Sequence, residues 1–168
     1  RRCAFCDLTE NSGATFNNIS HAIPENLGNK RVISLEECDA CNASGARCEE
    51  ELANMLDIER VFSGARGKSG PASLDSDDKL IATGKGVGKP IELKVDILDN
   101  PIKDLGNNTL ELPFRNIEYR PMLALRCILR STWLLMSETH RQEFQIVKTI
   151  ATGKAVPLPF EFFTAFSP

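Results

Sequence analysis

The chain has 168 residues, 42% of them apolar and 26% charged, with a formal net charge of −3. That balance belongs to folded globular proteins and excludes a disordered or collagen-like chain, and the length suits one medium domain or a small metal-stapled domain joined to a second element. No apolar run approaches the ~20 residues a membrane helix requires, and no charged-then-apolar leader is visible, so the expectation is a cytoplasmic protein with no membrane partner. The start at Arg1-Arg2, directly before a cysteine, reads as a trimmed or missing beginning.

The first element in chain order is a cysteine pair, Cys3-Ala-Phe-Cys6, separated by 31 intervening residues from a second, Cys38-Asp-Ala-Cys41. A CxxC pair lets two sulfurs from one tight turn take adjacent corners of a tetrahedron, and a second pair completes the Cys₄ shell that Zn²⁺ prefers. The four are read as structural zinc ligands. A disulfide framework is the weaker reading, because neighbouring cysteines of this spacing share a metal more readily than they bond across a fold. Cys48 and Cys127 remain. Cys127 sits in the apolar run Met122–Leu129 as a small core residue, and Cys48 is read as helix packing, with a spare ligand as its alternative.

Between the cysteine pairs the spacing predicts a hairpin, with strands near Ile19 to Ile23 and Arg31 to Leu35, folded over the metal. His21 is the only histidine in that interval. A helix is expected from about Asn42 to Leu56, then a flexible loop at Ser63–Pro71, where three glycines, two serines and a proline occur in nine residues. This divides the chain into residues 1–57, a basic linker at 58–72, and an α+β unit of unknown role at 73–168.

Beyond the linker, Gly84-Lys-Gly-Val-Gly88 lacks the Lys-Ser/Thr ending of a phosphate loop and reads as a hairpin turn. Pro90–Leu98 alternates apolar and charged residues as a strand does, and Leu110–Phe114 is a second strand whose proline suggests an edge, with a turn at Asn107-Asn108. A helix from about Arg120 to Met136 has Pro121 in its first turn. A second, Glu138 to Thr152, is capped by Ser137 and ended by Gly153. His140 reads as a surface residue, and the aromatic run Phe160–Phe166 as core or edge packing. The fold class is α+β, with antiparallel strands and two C-terminal helices in the later part.

The order CxxC, His21-x-x-Pro24, Gly28-Asn29, CxxC-Asn42, helix resembles the zinc-containing HNH endonucleases, in the branch reading His-x-Ile-Pro-Glu-x-Leu-Gly-Asn. The likeness covers Cys3 to about Glu50. It implies a treble-clef, ββα-metal core and metal-dependent hydrolysis of DNA phosphodiesters, with RNA as an alternative substrate. By that resemblance His21 is the general base. Its unperturbed pKa of about 6.5 suits proton abstraction near neutrality. Asn42 takes the place of the helix ligand to a catalytic Mg²⁺ or Mn²⁺, and an amide oxygen is an acceptable hard donor. Asn29, with Asn26 as alternative, corresponds to the asparagine that braces the hairpin loop.

One position departs from the family pattern. Where the residue before the histidine is usually Asp or Glu, this chain has Ser20, a neutral and weaker donor, so Ser20 is an uncertain metal ligand, with the carboxylates of Glu25, Glu37 and Asp39 as alternatives. Charge points the same way. Residues 1–56 carry nine acidic side chains against five basic ones, whereas duplex binders usually present a basic face. Phosphate contacts are therefore sought at Arg60, Arg66 and Lys68, with Lys30, Arg31, Lys85 and Lys89 as possible additions. The alternative function is a non-catalytic zinc module, a decayed nuclease that binds nucleic acid or protein, with affinity supplied by a partner protein or additional domain.

Overall fold

The computed structural model describes residues 1–76, 79–93, 103–111 and 117–154. Within these residues the architecture is mixed, with five α-helices and small antiparallel sheets. The first hairpin is minimal: β1 (Ser20–His21) pairs antiparallel with β2 (Ile33–Ser34), placing His21 opposite Ile33. The excursion between them is a 3₁₀ turn at Glu25–Leu27, closed by Gly28 at φ +89°, a left-handed conformation that disfavours any residue with a Cβ. Asn29 then ties the loop. Its amide donates to the carbonyls of Ile23 (2.6 Å) and Val32 (2.9 Å), while its oxygen accepts from the N–H groups of Arg31 (3.1 Å) and Val32 (2.9 Å).

Helix α1 runs over Asp39–Met55 and starts on Cys38, so the second cysteine pair straddles its first turn. Asp39 accepts from the backbone N–H groups of Asn17 (3.2 Å) and Asn18 (2.9 Å), fixing the chain just before β1 to the start of the helix. The inner face of α1, Gly45, Cys48, Leu52 and Ala53, is buried. Cys48 and Leu52 pack with Ala124 and Cys127 of α3 (Pro121–Leu135), which begins on Pro121 because the first turn needs no N–H from that residue. Burial raises the Cys48 thiol and pushes Cys127 up to about 12. Both are neutral core side chains, and neither belongs to the cysteine cluster described below.

Residues 58–72, expected as a linker, contain secondary structure. Helix α2 (Asp57–Ser63) leads into a tight pairing of β3 (Arg66–Gly67) with β4 (Gly70–Pro71). An antiparallel sheet follows, with β6 (Lys79–Gly84) between β5 (Ser73–Ser76) and β7 (Ile91–Leu93). The reason is apolar: Val61 of α2 is fully buried against Ala72, Leu74 and Ala82, so a segment whose glycines suggest a loop is drawn onto the sheet. Gly84 ends β6, and Lys85–Gly88 falls in the β6–β7 connection. Strand β8 (Lys103–Gly106) pairs with β9 (Thr109–Glu111) across Asn107 and Asn108, which both adopt positive φ. The remainder of the strands expected at Pro90–Leu98 and Leu110–Phe114, and the whole Phe160–Phe166 cluster, lie outside the described residues.

The sequence predicts one helix over Glu138–Thr152, but the structure has two. Helix α4 (Glu138–Glu143), capped by Ser137, stops at Phe144, whose backbone is non-helical, and α5 (Gln145–Ala151) begins afresh. The Gln145 side-chain amide donates to the Arg141 carbonyl (2.6 Å), the acceptor that a continuous helix would give to the Gln145 backbone N–H. The described residues of the later part thus form three helices rather than two. None of the described helices is long and apolar enough to cross a membrane.

Candidate metal centre and adjoining cleft

The folded chain gathers both cysteine pairs. The sulfurs of Cys3, Cys6, Cys38 and Cys41 lie within 4.8 Å of one another, and Cys6 Sγ is 3.7 Å from Cys38 Sγ. Four sulfurs at the corners of a tetrahedron with Zn–S bonds of about 2.3 Å stand about 3.8 Å apart, so the spacing suits a metal such as Zn²⁺ with little adjustment. At Cys3 local structure also favours negative charge on sulfur, whereas burial raises the Cys6 thiol. Burial alone would raise the Cys3 thiol, yet hydrogen bonds from the backbones of Cys6, Cys38 and Phe5 outweigh it and bring the group down to about 7. Cys41 is raised by burial and then by the charge of Cys3, so without a cation the cluster cannot ionise completely. A divalent metal removes that conflict by binding the thiolate forms.

The cysteine cluster sits on the C-terminal helices. Cys3, Phe5 and Cys38 share a buried cluster with Trp133 of α3 and Ala151 of α5. Trp133 Nε1 donates to the Ala4 carbonyl inside the first knuckle (2.9 Å). Arg141, itself buried, donates to the α3 carbonyls of Trp133 (2.9 Å) and Leu134 (3.1 Å) and pairs with Glu36 (2.7 Å). Lys148 of α5 pairs with Asp7 (2.7 Å), and that bond leads the causes that hold the Asp7 carboxyl below its ordinary range.

A buried relay joins this region to the hairpin. Ser20 Oγ donates to one carboxylate oxygen of Glu37, and Arg130 of α3 pairs with the other. Arg130 also donates to the Cys41 carbonyl (2.7 Å) and lies 4.3 Å from the Phe5 ring centroid. It passes so close to α1 that a Cβ on Gly45 would sit 2.9 Å from its Nε. Ser20 is 1% exposed and does not line the cleft that contains His21. Glu37, a possible substitute ligand by sequence, is engaged with Ser20 and Arg130, and Asp39 holds the backbone of Asn17 and Asn18.

That cleft, of about 240 Å³, opens between β1, the turn after it, α1 and the β3–β4 hairpin. His21 and Asn42 both face it, together with Glu25, Asn26, Glu49 and Arg60. The His21 imidazole Nε2 is 3.8 Å from Glu25 Oε2, while its Nδ1 is buried with no hydrogen-bond partner. Asn26 donates to the Glu49 carbonyl (2.9 Å), and its own Oδ1 is likewise buried and unpartnered. Glu49 was not singled out by sequence reasoning. It stands seven residues after Asn42 on α1, and that spacing returns it to the same helix face. Burial, followed by the charge of Glu37, raises its carboxyl.

The basic residues expected at phosphate are partly committed elsewhere. Arg60 Nε donates to the Asn26 carbonyl (2.8 Å) and its guanidinium reaches Asp57 at 3.6 Å. Lys68 is exposed and lies 3.9 Å from Glu25, which Lys30 also contacts. Arg66 is exposed on β3, and Lys85 pairs with Glu92. Among the described residues the four cysteines are the one group of three or more His, Cys, Asp or Glu side chains with donor atoms this close together. Comparison of the chain with protein-family models, with curated proteins and with solved structures gives no match.

Proposed function

We propose that the chain is a zinc-stapled, HNH-type ββα-metal endonuclease that hydrolyses DNA phosphodiester bonds. What supports the reading is that His21 and Asn42, far apart in sequence, line one cleft, where the imidazole has a buried nitrogen without a partner. The cleft is rich in acceptors: the Asn42 amide, the Glu49 carboxylate and the unpartnered Asn26 Oδ1. Such a donor set fits Mg²⁺ or Mn²⁺, which keeps several waters and needs only one or two carboxylates. Asn42 would hold it, Glu49 two turns further along α1 would lend negative charge to the same cleft, and Ser20, turned to Glu37, would not take part. When bound, the cation supplies positive charge to the leaving oxygen.

The proton chemistry belongs to His21. Its neutral imidazole takes a proton from water as the water oxygen bonds to phosphorus and the bond to the leaving oxygen breaks. Glu25, 3.8 Å from Nε2, then faces an imidazolium and stabilises it. Asn29 acts at a distance by holding the loop that presents Glu25 and Asn26. The test is nicking of supercoiled plasmid with Mg²⁺ or Mn²⁺, beside EDTA and His21→Ala controls. Metal-dependent nicking that disappears in His21→Ala supports the nuclease. A second reading, a non-catalytic zinc module, is favoured by Ser20 facing Glu37 instead of the cleft, and absence of nicking by folded, zinc-loaded protein would select it.

A further inference from the structure

The side of α1 turned away from His21 holds a separate cavity of about 470 Å³, between the first cysteine knuckle, α3 and α5. Its charged lining is Asp7, Arg126, Arg130, Lys148 and Lys154. In a chain with a net charge of −3, four cations and one carboxylate around a single cavity call for a physical account. Two of the cations are spoken for: Arg130 pairs with Glu37 and Lys148 with Asp7, and both are mostly buried near the cysteine cluster. A zinc tetrathiolate carries two negative charges, so part of this positive charge balances the metal centre.

The other two cations are placed differently. Arg126 and Lys154 form no ion pair among the described residues, and Arg126 reaches only the Gly153 carbonyl, at a long 3.4 Å. Arg126 precedes Arg130 by one turn of α3. It lines the cavity together with Cys48, two turns of α1 beyond the ligand Cys41. Among the described residues the cavity therefore presents two cations with no carboxylate partner: a guanidinium, which matches phosphate oxygens two at a time, and an ammonium.

We propose that this cavity binds a phosphate group through Arg126 and Lys154. The phosphate belongs either to a nucleic-acid backbone or to a small phosphorylated molecule, since both present the same oxygens. The site uses neither His21 nor Asn42 and stands apart from the nuclease reading.

The experiment titrates zinc-loaded protein with inorganic pyrophosphate and, separately, with a short DNA duplex, using wild type, the charge reversal Arg126→Glu/Lys154→Glu, the milder Arg126→Gln/Lys154→Gln, and His21→Ala. Zinc content and circular dichroism verify that the variants fold; if the reversal does not, the Gln pair carries the test. The expected result is pyrophosphate binding that weakens at least about tenfold in the altered pair, falls with added salt and is unchanged in His21→Ala. Parallel weakening of duplex binding assigns the phosphate to a nucleic-acid backbone, and weakening of pyrophosphate alone assigns it to a small phosphorylated molecule. Wild-type protein that binds neither, or altered pairs that bind both as wild type does, would overturn the proposal.

Discussion

Replacing Trp133 with alanine tests whether the cysteine cluster and the C-terminal helices stand or fall together. Trp133 is 3% exposed, packs with Cys3, Phe5, Cys38 and Ala151, and donates its indole N–H to the Ala4 carbonyl between the first two cysteines. Truncating a buried Trp to Ala costs about 3–5 kcal/mol through lost transfer energy and the cavity left behind. Against a typical total of about 5–15 kcal/mol, that is a large share of the stability. Leaving the Ala4 carbonyl unsatisfied adds about 1 kcal/mol, and Trp133→Phe isolates much of that smaller part. Urea unfolding followed by far-UV circular dichroism, with zinc release read in parallel by a chromogenic chelator, should give coincident transitions that move together in both variants. The reasoning is refuted if Trp133→Ala costs under about 1 kcal/mol, or if helix unfolding shifts while zinc release stays in place.

Two further substitutions probe the cleft and the relay behind it. Glu49 has a raised carboxyl in the folded chain, so the fold binds its proton more tightly than the unfolded chain does; the resulting destabilisation is absent at low pH and grows as pH rises through the ordinary and then the raised value. Glu49→Gln should therefore raise the melting temperature at pH 7 without added Mg²⁺ or Mn²⁺, have little effect near pH 4, and weaken Mn²⁺ binding measured by calorimetry; an unchanged melting temperature and an unchanged Mn²⁺ isotherm would contradict this. Ser20→Asp would bury a second carboxylate against Glu37 and should destabilise the fold by about 3 kcal/mol without increasing nicking, whereas Ser20→Ala should cost about 1–3 kcal/mol by removing one hydrogen bond to a carboxylate. A stable Ser20→Asp protein with increased nicking would show that residue 20 reaches the cation after all.

Short-range features were legible in the sequence because their causes are local. Two CxxC turns needed only their spacing to suggest a cysteine cluster, and the folded chain brings all four sulfurs together. Pro121 and Ser137 mark helix starts through missing or capping hydrogen bonds, and the Asn107-Asn108 turn follows from the ease with which asparagine adopts positive φ. Long-range causes were not legible. The burial of Val61, Ala72 and Leu74 gives structure to a stretch whose glycines spoke for a loop. One local cause was missed as well: where α4 ends, the Gln145 side chain takes the Arg141 carbonyl four residues back, which the capping signals do not report. The Ser20–Glu37–Arg130 relay joins residues up to 110 positions apart, and no spacing rule reports it. Glu49 could have been found by projecting α1 as a helical wheel from Asn42, since position i+7 returns to the same face.

The central claim assigns different roles to His21 and Asn42, and single-turnover cleavage of a defined DNA duplex over a range of Mg²⁺ concentrations separates them. In Asn42→Ala, weaker cation binding should shift the half-maximal Mg²⁺ concentration upward while much of the maximal rate is recovered at high Mg²⁺. In His21→Ala, the Mg²⁺ dependence should stay near that of wild type, and the rate at saturation should fall by about 10²–10⁴-fold, the usual contribution of a general base. Cleavage that is indifferent to both substitutions, or that loses only its Mg²⁺ affinity in His21→Ala, would contradict the account.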